Sequence, residues 1–260
     1  MGIKNLTAFL KQHAPNSIRE LSISDLSGKI IAVDTSILIY QHLLAIKGTG
    51  TDLTNKEGNL TAHIQGLISK IIFLTNNKVK PIFVFDGKPS NLKLKTIKAR
   101  QEAKEKAKAK IDETDDEEIK MKLSKQTLHI GENEIEYAKK VIRLLGLPMI
   151  EAPEEADPQC AYLIRKKITS GVFTEDMDLL TFGSFKVYRN LSADKKKSII
   201  EYDLKKILKE LDITYSQFVD LCILFGCDYL DTIKGIGKIS ALKLIKEHKN
   251  IETILKESKY

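Results

Sequence analysis

Four short runs of Val, Ile and Phe, each leading into acidic residues, constrain this chain more than any other feature. The runs Lys29–Val33, Pro81–Phe85, Leu147–Ile150 and Gly171–Thr174 are apolar throughout instead of alternating, the pattern of parallel strands covered on both faces. Amphipathic helices lie between them. Ile64, Leu67, Ile68, Ile71 and Ile72 follow the i, i+3, i+4 rule, as do Ile135, Ala138, Val141, Ile142 and Leu145. Strands alternating with helices predict an α/β fold with a mostly parallel central sheet and helices on both faces. At 260 residues the chain is long enough for one large domain, and we read 1–260 as a single unit.

Two segments depart from this rhythm. From Lys88 to Ile130 large apolar residues are scarce, and eight Lys or Arg crowd into Lys93–Lys110 before the acidic run Asp112–Glu118. Such a stretch cannot pack a core and reads as a solvated, helix-prone insertion. In the tail from Ser216 to Tyr260, two helical patterns flank the turn Thr232–Lys238.

Composition removes several function classes. Apolar residues make up 42% and charged residues 30%, which excludes wholesale disorder and fibrous chains. No apolar run approaches the roughly 18 residues of a membrane span. The N-terminus lacks the apolar core of a secretory signal, so an intracellular protein with no membrane partner is expected. Cys160, Cys222 and Cys227 show no CxxC spacing and read as small core residues. The net charge of +7 favours a polyanionic partner.

The acidic residues carry the chemistry. In an open parallel sheet ligands bind beyond the carboxyl ends of the strands. Here IIAVD ends in Asp34, IFVFD in Asp86 and TEDMD in Asp176 and Asp178, while EAPEEADPQC supplies Glu155 and Asp157 after the third run. One such Asp could be a helix cap; the same placement after four runs is harder to assign to capping. Carboxylates that converge repel one another unless a cation neutralises them. Oxygen ligands without His or Cys select hard ions, Mg2+ or Mn2+ before Zn2+, and the five His show no HExxH spacing. More carboxylates than one ion needs suggest a pair of metals and phosphodiester hydrolysis. Separately, GIGK at Gly235–Lys238 opens a helical pattern at Ser240–His248, and free N–H groups at such a helix start can meet a phosphate.

With these residues in hand the chain resembles the flap endonucleases of the structure-specific 5′-nuclease family. The similarity runs through MGIKNLTAFL, VDTSILIYQ, PIFVFDGKP, EAPEEADPQCAYL, TEDMDLLTFGS and FVDLCILFGCDYLDTIKGIGK, nearly the whole chain in order. It implies a PIN-like 5′-nuclease fold and an enzyme of DNA replication and repair that hydrolyses branched or 5′-flap DNA with two Mg2+, for which Mn2+ can substitute. Carried over by position, the metal ligands are Asp34, Asp86, Glu155, Asp157, Asp176, Asp178 and Asp228. Lys93 and Arg100 would approach the scissile phosphate. Gly2, Tyr40, Lys47, Lys70, Arg189, Lys234, Gly235, Gly237 and Lys238 would contact DNA. The resemblance makes 88–130 a helical arch through which a single strand passes, and 216–260 a helix-hairpin-helix (helix-two-turn-helix) element gripping duplex. There K+ would bind backbone carbonyls around Thr232, Ile233 and Ile236. A monomer is implied, placed in the nucleus or, for a viral protein, at a cytoplasmic replication site.

The sequence departs from the family pattern in three places. No QxxLxxFF sliding-clamp motif precedes Tyr260, which leaves a clamp partner open. Lys47 and Lys70 stand where Arg is usual, keeping charge but not bidentate geometry. Asp157 replaces a Glu and is followed by Pro158. Residues two apart point the same way on extended backbone, and a residue before proline favours that conformation. Proline is also favoured at the first helical position, so Asp157 could instead cap the helix through Cys160 and Ile164. Two rival functions remain on paper: a DNA-junction binder with weak catalysis on the same fold, and a Mg-dependent phosphatase. The latter needs a DxD after the first strand, and VDTS lacks the second Asp.

Overall fold

The computed structural model describes residues 2–47, 61–90, 93–128, 130–192, 197–230, 232–233 and 235–257. In chain order the described elements are α1 (Leu6–His13), β1 (Ile18–Leu21), β2 (Ile30–Asp34), α2 (Thr35–Lys47), α3 (Ala62–Asn76), β3 (Lys80–Phe85), α4 (Leu94–Glu113), α5 (Glu117–Gln126), α6 (Glu132–Leu144) and β4 (Met149–Glu151). They continue with α7 (Ala156–Arg165), β5 (Val172–Phe173), β6 (Lys186–Arg189), β7 (Ile199–Asp203), α8 (Leu204–Leu211), α9 (Tyr215–Phe225), α10 (Lys238–His248) and α11 (Ile251–Glu257). The chain divides into two compact units, Leu26–Ala156 and Met1–Asp25 with Asp157–Tyr260.

In the unit Leu26–Ala156, β2, β3 and β4 lie side by side and parallel, with Asp34 opposite Val84 and Phe83 opposite Met149. Their inward residues Ile31, Val33, Phe83 and Phe85 are buried together with Ile71 and Leu74 of α3 and Ile142 of α6. The predicted helices are thus present, but their apolar stripes face inward only in part: Leu67, Ile71, Ala138 and Ile142 are buried, whereas Ile68, Ile72 and Leu145 are exposed, and Leu145 falls just past α6. The first two strands fall within a residue of expectation; the third starts two residues later, at Met149, and ends on Glu151.

The histidines of this unit have a consequence for stability. His63 on α3 is only 1% exposed, and neither ring nitrogen has a hydrogen-bond partner. Burial lowers its pKa, against the opposing pull of Glu134, and burial with the charge of Lys70 lowers that of His42. A histidine buried neutral binds its proton more tightly in the unfolded chain, so stability is full above the unfolded value of about 6.5 and declines as pH falls below it. Urea unfolding at pH 5.0 and 7.5 is expected to show this loss, and His63→Leu to reduce it.

In the other unit β5 and β6 are parallel, and β7 runs antiparallel to both β6 and β1. The three strands β1, β6 and β7 have no counterpart among the predicted runs. Their sequences IREL, KVYR and IIEYD mix polar with apolar residues because they are short and half-covered. Glu201, in the middle of β7, is 2% exposed and is neutralised by Arg19 at 3.0 Å and Lys186 at 3.2 Å. The core gathers Leu6, Leu10, Phe173, Tyr188 and Phe218, with Phe9 edge-on to Phe225 at 4.9 Å. Helix α9 opens with a reciprocal cap in which Thr214 Oγ1 accepts from Gln217 N and Gln217 Oε1 accepts from Thr214 N. All three cysteines are free; Cys160 and Cys222 are buried as expected, whereas Cys227 is half-buried.

The segment 88–130 forms α4 and α5, and most of its side chains are exposed; Ala107 and Leu128 are buried. This agrees with a solvated helical insertion. Helix α10 begins at Lys238, two residues before the expected start, and no described helix is long and apolar enough to cross a membrane.

Candidate active site

The strand ends of the unit Leu26–Ala156 hold three of the expected carboxylates. Asp34 is the last residue of β2 and 4% exposed; its Oδ1 accepts from Ile37 N at 3.3 Å across the start of α2. Asp86 follows β3 directly, is exposed, and accepts from Ala156 N at 2.8 Å. Glu155 forms an ion pair with Lys93 at 2.5 Å, with side-chain exposures of 11% and 16%. Two of the residues expected at the site from the sequence therefore meet. Lys93 occupies the N-cap position of α4, and the exposed Arg100 lies seven residues on, about two helical turns, so both sit on one face.

Behind this strand end lies a group the sequence reading missed. Lys139 of α6 is 7% exposed, donates to Glu136 at 2.7 Å and Glu151 at 2.9 Å, and sits 5.7 Å from the centre of the Phe85 ring. The only signal was a lysine beside Ala138 on a face otherwise apolar.

In the other unit, Asp157, Asp176 and Asp178 are 8%, 8% and 3% exposed, and Asp228 is half-buried. Asp176 caps the 3-10 turn Met177–Leu180 by accepting from Asp178 N at 3.0 Å, while its own N–H donates to Thr174 Oγ1 at 3.1 Å. The capping alternative thus falls on Asp176 and not on Asp178. Asp157 lies in the first turn of α7, which corrects the extended backbone inferred from Pro158. The first turn of a helix needs no N–H from its proline, and helix formation outweighed the preference of the preceding residue.

Gly2 passes directly over these carboxylates. It has φ +79°, and a Cβ there would collide with Asp176 Oδ1 and lie 2.7 Å from Asp178 Oδ1. Lys4 N donates to Gly226 O at 3.1 Å, holding the segment beside the loop that carries Asp228. Burial pushes the Cys222 thiol pKa up, with the Asp178 carboxylate adding to the effect. Among the described residues, no three His, Cys, Asp or Glu side chains are gathered closely enough to enclose an ion by themselves.

Between α9 and α10, residues 232–233 and 235–237 of the expected hairpin are described. Gly235 has φ +88°, a conformation that favours glycine, whereas Gly237 is the N-cap of α10 at φ −85° and a Cβ there would meet only Ser240 Oγ at 3.7 Å. The backbone does not require glycine at 237, and this position borders a cleft of about 400 Å3 lined also by Gln12, His13, Lys238 and Ser240. The Ile233 carbonyl accepts from Ile236 N at 3.3 Å. Lys234 lies outside the described residues, as does the side chain of Lys47. Tyr40 on α2 and Lys70 on α3 are half-buried. Arg189 faces inward to Glu175 and Thr7.

The N-terminal domain of the XPG family matches residues 1–107, and the I-region of the same family matches 146–228. Flap endonuclease 1 of soybean, Glycine max, is 44% identical over 98% of this chain and 68% of its own length. The chain belongs to the flap endonuclease family. Among solved structures, the flap endonuclease of Methanococcus jannaschii superimposes with a TM-score of 0.73 at 33% identity, covering 94% of this chain and 78% of that one. The catalytic core of Rad2 in complex with a DNA substrate gives 0.73 at 30% identity, covering 95% and 70%. This flap endonuclease chain spans between 52% and 69% of the length of the curated relatives it matches at 42–44% identity. The two family-matched regions contain all seven carboxylates, two in the first and five in the second.

Proposed function

We propose that this flap endonuclease chain hydrolyses phosphodiesters at 5′ flaps in branched DNA, with divalent metal ions held by Asp34, Asp86, Glu155, Asp157, Asp176, Asp178 and Asp228. The observation that carries the reading is the burial of Asp176 and Asp178 under a glycine whose Cβ the two carboxylates would not tolerate. Carboxylates so buried and so close are costly unless a cation compensates them, and a capping role explains only Asp176. The donor set fits a hard ion, since every member is an oxygen ligand; Mg2+ is the expected ion and Mn2+ a substitute. When bound, such ions supply an activated water and neutralise charge on the leaving oxygen.

The protein's own groups do the rest. Lys93 is held at Glu155 in the DNA-free protein, so its ammonium is kept beside a carboxylate until a phosphate competes for it. Arg100, on the same face of an exposed basic helix, offers a second cation to a passing single strand. Gly237 and Lys238 at the start of α10 hold a duplex phosphate without reading sequence. K+ at the hairpin carbonyls, monomeric action and a nuclear or viral replication site complete the reading by family resemblance.

The deciding experiment incubates the protein with a 5′-flap substrate in Mg2+ and in EDTA. Cleavage only with Mg2+ supports the proposal; flap binding with no cleavage in Mg2+ or Mn2+ identifies a junction binder instead. In the same assay Lys93→Ala is expected to lower the single-turnover rate at saturating enzyme by about 100-fold, with flap affinity little changed, because a cation beside the reacting phosphate acts on developing charge. An unchanged rate would reduce Lys93 to a member of a solvated basic face.

A further inference from the structure

We propose that Arg189 is a positioning residue, which through Glu175 and Thr7 ties the loop bearing Asp176 and Asp178 to helix α1 and thereby sets where those carboxylates stand. The inference rests on the metal-dependent reading above. It gives Arg189 a task other than the DNA contact expected from resemblance.

The loop Thr174–Asp178 leaves a strand of two residues, is joined to β6 by the Thr174 N–H on the Tyr188 carbonyl at 3.1 Å, and then enters a single 3-10 turn. Beyond Thr174 its tie to β6 is made through a side chain. Glu175 Oε2 accepts from Arg189 Nε at 2.9 Å, and Glu175 Oε1 accepts from Asn190 N at 2.7 Å. The same guanidinium donates from Nη1 to Thr7 Oγ1 on α1 at 3.0 Å. Five residues before Thr7 stands Gly2, packed on Asp176 and Asp178. The contacts therefore close a ring, from Asp176 through Glu175, Arg189 and Thr7 back along the chain to Gly2. Asp176 and Asp178 are fixed from the loop side by Glu175 and from the opposite side by the segment that Arg189 anchors.

Two further facts favour a tie over a phosphate contact. The Arg189 and Glu175 side chains are both 24% exposed, so the guanidinium is mostly enclosed by protein. Moreover only 5 of the 42 basic residues in this chain are Arg, and most positions that need only charge carry Lys. Bonding Glu175 and Thr7 at once requires two N–H directions fixed in one plane, which a guanidinium supplies and an ammonium on a flexible stem does not.

The test compares Arg189→Lys, Glu175→Gln and Thr7→Val with the wild type in two measurements: Mn2+ affinity of the DNA-free protein by calorimetry or EPR, and flap affinity in EDTA beside the single-turnover rate. Arg189→Lys is expected to weaken Mn2+ binding about 10- to 100-fold, the usual effect of losing a group that orients metal ligands, with flap affinity unchanged. Glu175→Gln should match it, since its amide would face the Asn190 N–H, and the double variant should be no worse than either single. Thr7→Val should shift Mn2+ affinity the same way but less. Normal Mn2+ affinity in Arg189→Lys overturns the proposal, and weakened flap binding beside it would assign Arg189 to phosphate. Should Arg189→Lys and Glu175→Gln fail to fold, a folded Thr7→Val with wild-type Mn2+ affinity overturns it equally. A wild type that binds Mn2+ but cleaves no flap sinks the nuclease reading and leaves the tie to be judged on Mn2+ affinity; a wild type that binds no Mn2+ sinks both.

Discussion

Asp178→Ala is expected to lower the single-turnover rate on a 5′ flap by a factor on the order of 10³, about 4 kcal/mol of transition-state stabilisation, while flap binding is kept or improved. The direction follows from where the side chain sits. At 3% exposure its charge helps to raise the pKa of the buried Cys222 thiol, and it is Asp176 that caps the following turn. Removing Asp178 therefore leaves the N-cap of that turn in place. It takes away a buried negative charge whose desolvation and repulsion the metal-free protein has to bear, so in EDTA the variant should melt at a higher temperature than the wild type. The same variant should lose most of the thermal stabilisation that Mg2+ or Mn2+ gives the wild type, because a ligand that binds only the folded state stabilises it in proportion to its affinity. A folded Asp178→Ala protein with normal turnover would remove this residue from the metal site, and one with lowered stability in EDTA would show that the carboxylate is structural.

The parts of the fold legible in the sequence are those where burial is complete on both sides. Ile30–Asp34 and Lys80–Phe85 are parallel strands with covered faces, so their apolar runs had no alternation to hide them, and α3 and α6 had helical periodicity, although Ile68, Ile72 and Leu145 of those stripes are exposed. The strands β1, β6 and β7 were illegible because each is only four or five residues long and shows neither a continuous apolar run nor a clean alternation. In β7 the pattern is further masked by Glu201, which is buried and balanced by two cations from neighbouring strands. The acidic residues at the strand ends were legible as a set, since placement after a strand is a property of order along the chain. What each one bonds to was not. Glu155 meets Lys93 from 62 positions away, and Arg189 meets Thr7 from 182 positions away; no local pattern encodes such pairs. Asp157 shows the opposite failure, a local rule applied where it did not govern: Pro158 disfavours helix before itself, yet α7 starts at Ala156, whose N–H is already satisfied by Asp86.

Gly2→Ala is expected to be nearly as damaging to activity as loss of a carboxylate, although it removes nothing. The residue has φ +79°, where an L side chain is strained by roughly 1–2 kcal/mol, a modest cost in a chain of this size. The larger consequence is where the new methyl goes. It would collide with Asp176 Oδ1 and crowd Asp178 Oδ1, both ends of short side chains with one rotatable bond before the carboxylate. Something has to yield, and the candidates are unequal. The backbone at residues 2–5 is held by the Lys4 N–H on the Gly226 carbonyl, and Asp176 Oδ1 is engaged by the Asp178 N–H. Turning the carboxylates aside costs one hydrogen bond and displaces two proposed metal ligands; moving the backbone pulls on the loop before Asp228. Either way the damage falls on the proposed metal ligands. Gly2→Ala should therefore lower the melting temperature only slightly in EDTA, weaken Mn2+ binding, and reduce turnover at saturating Mn2+ by about 100-fold, the scale of a misplaced reacting group. Flap affinity in EDTA should be unaffected. If Gly2→Ala instead melts far below the wild type with or without metal, residue 2 matters for folding. If it binds Mn2+ and cleaves normally, the carboxylates have room to move, and the close packing of Gly2 on Asp176 and Asp178 has no part in catalysis.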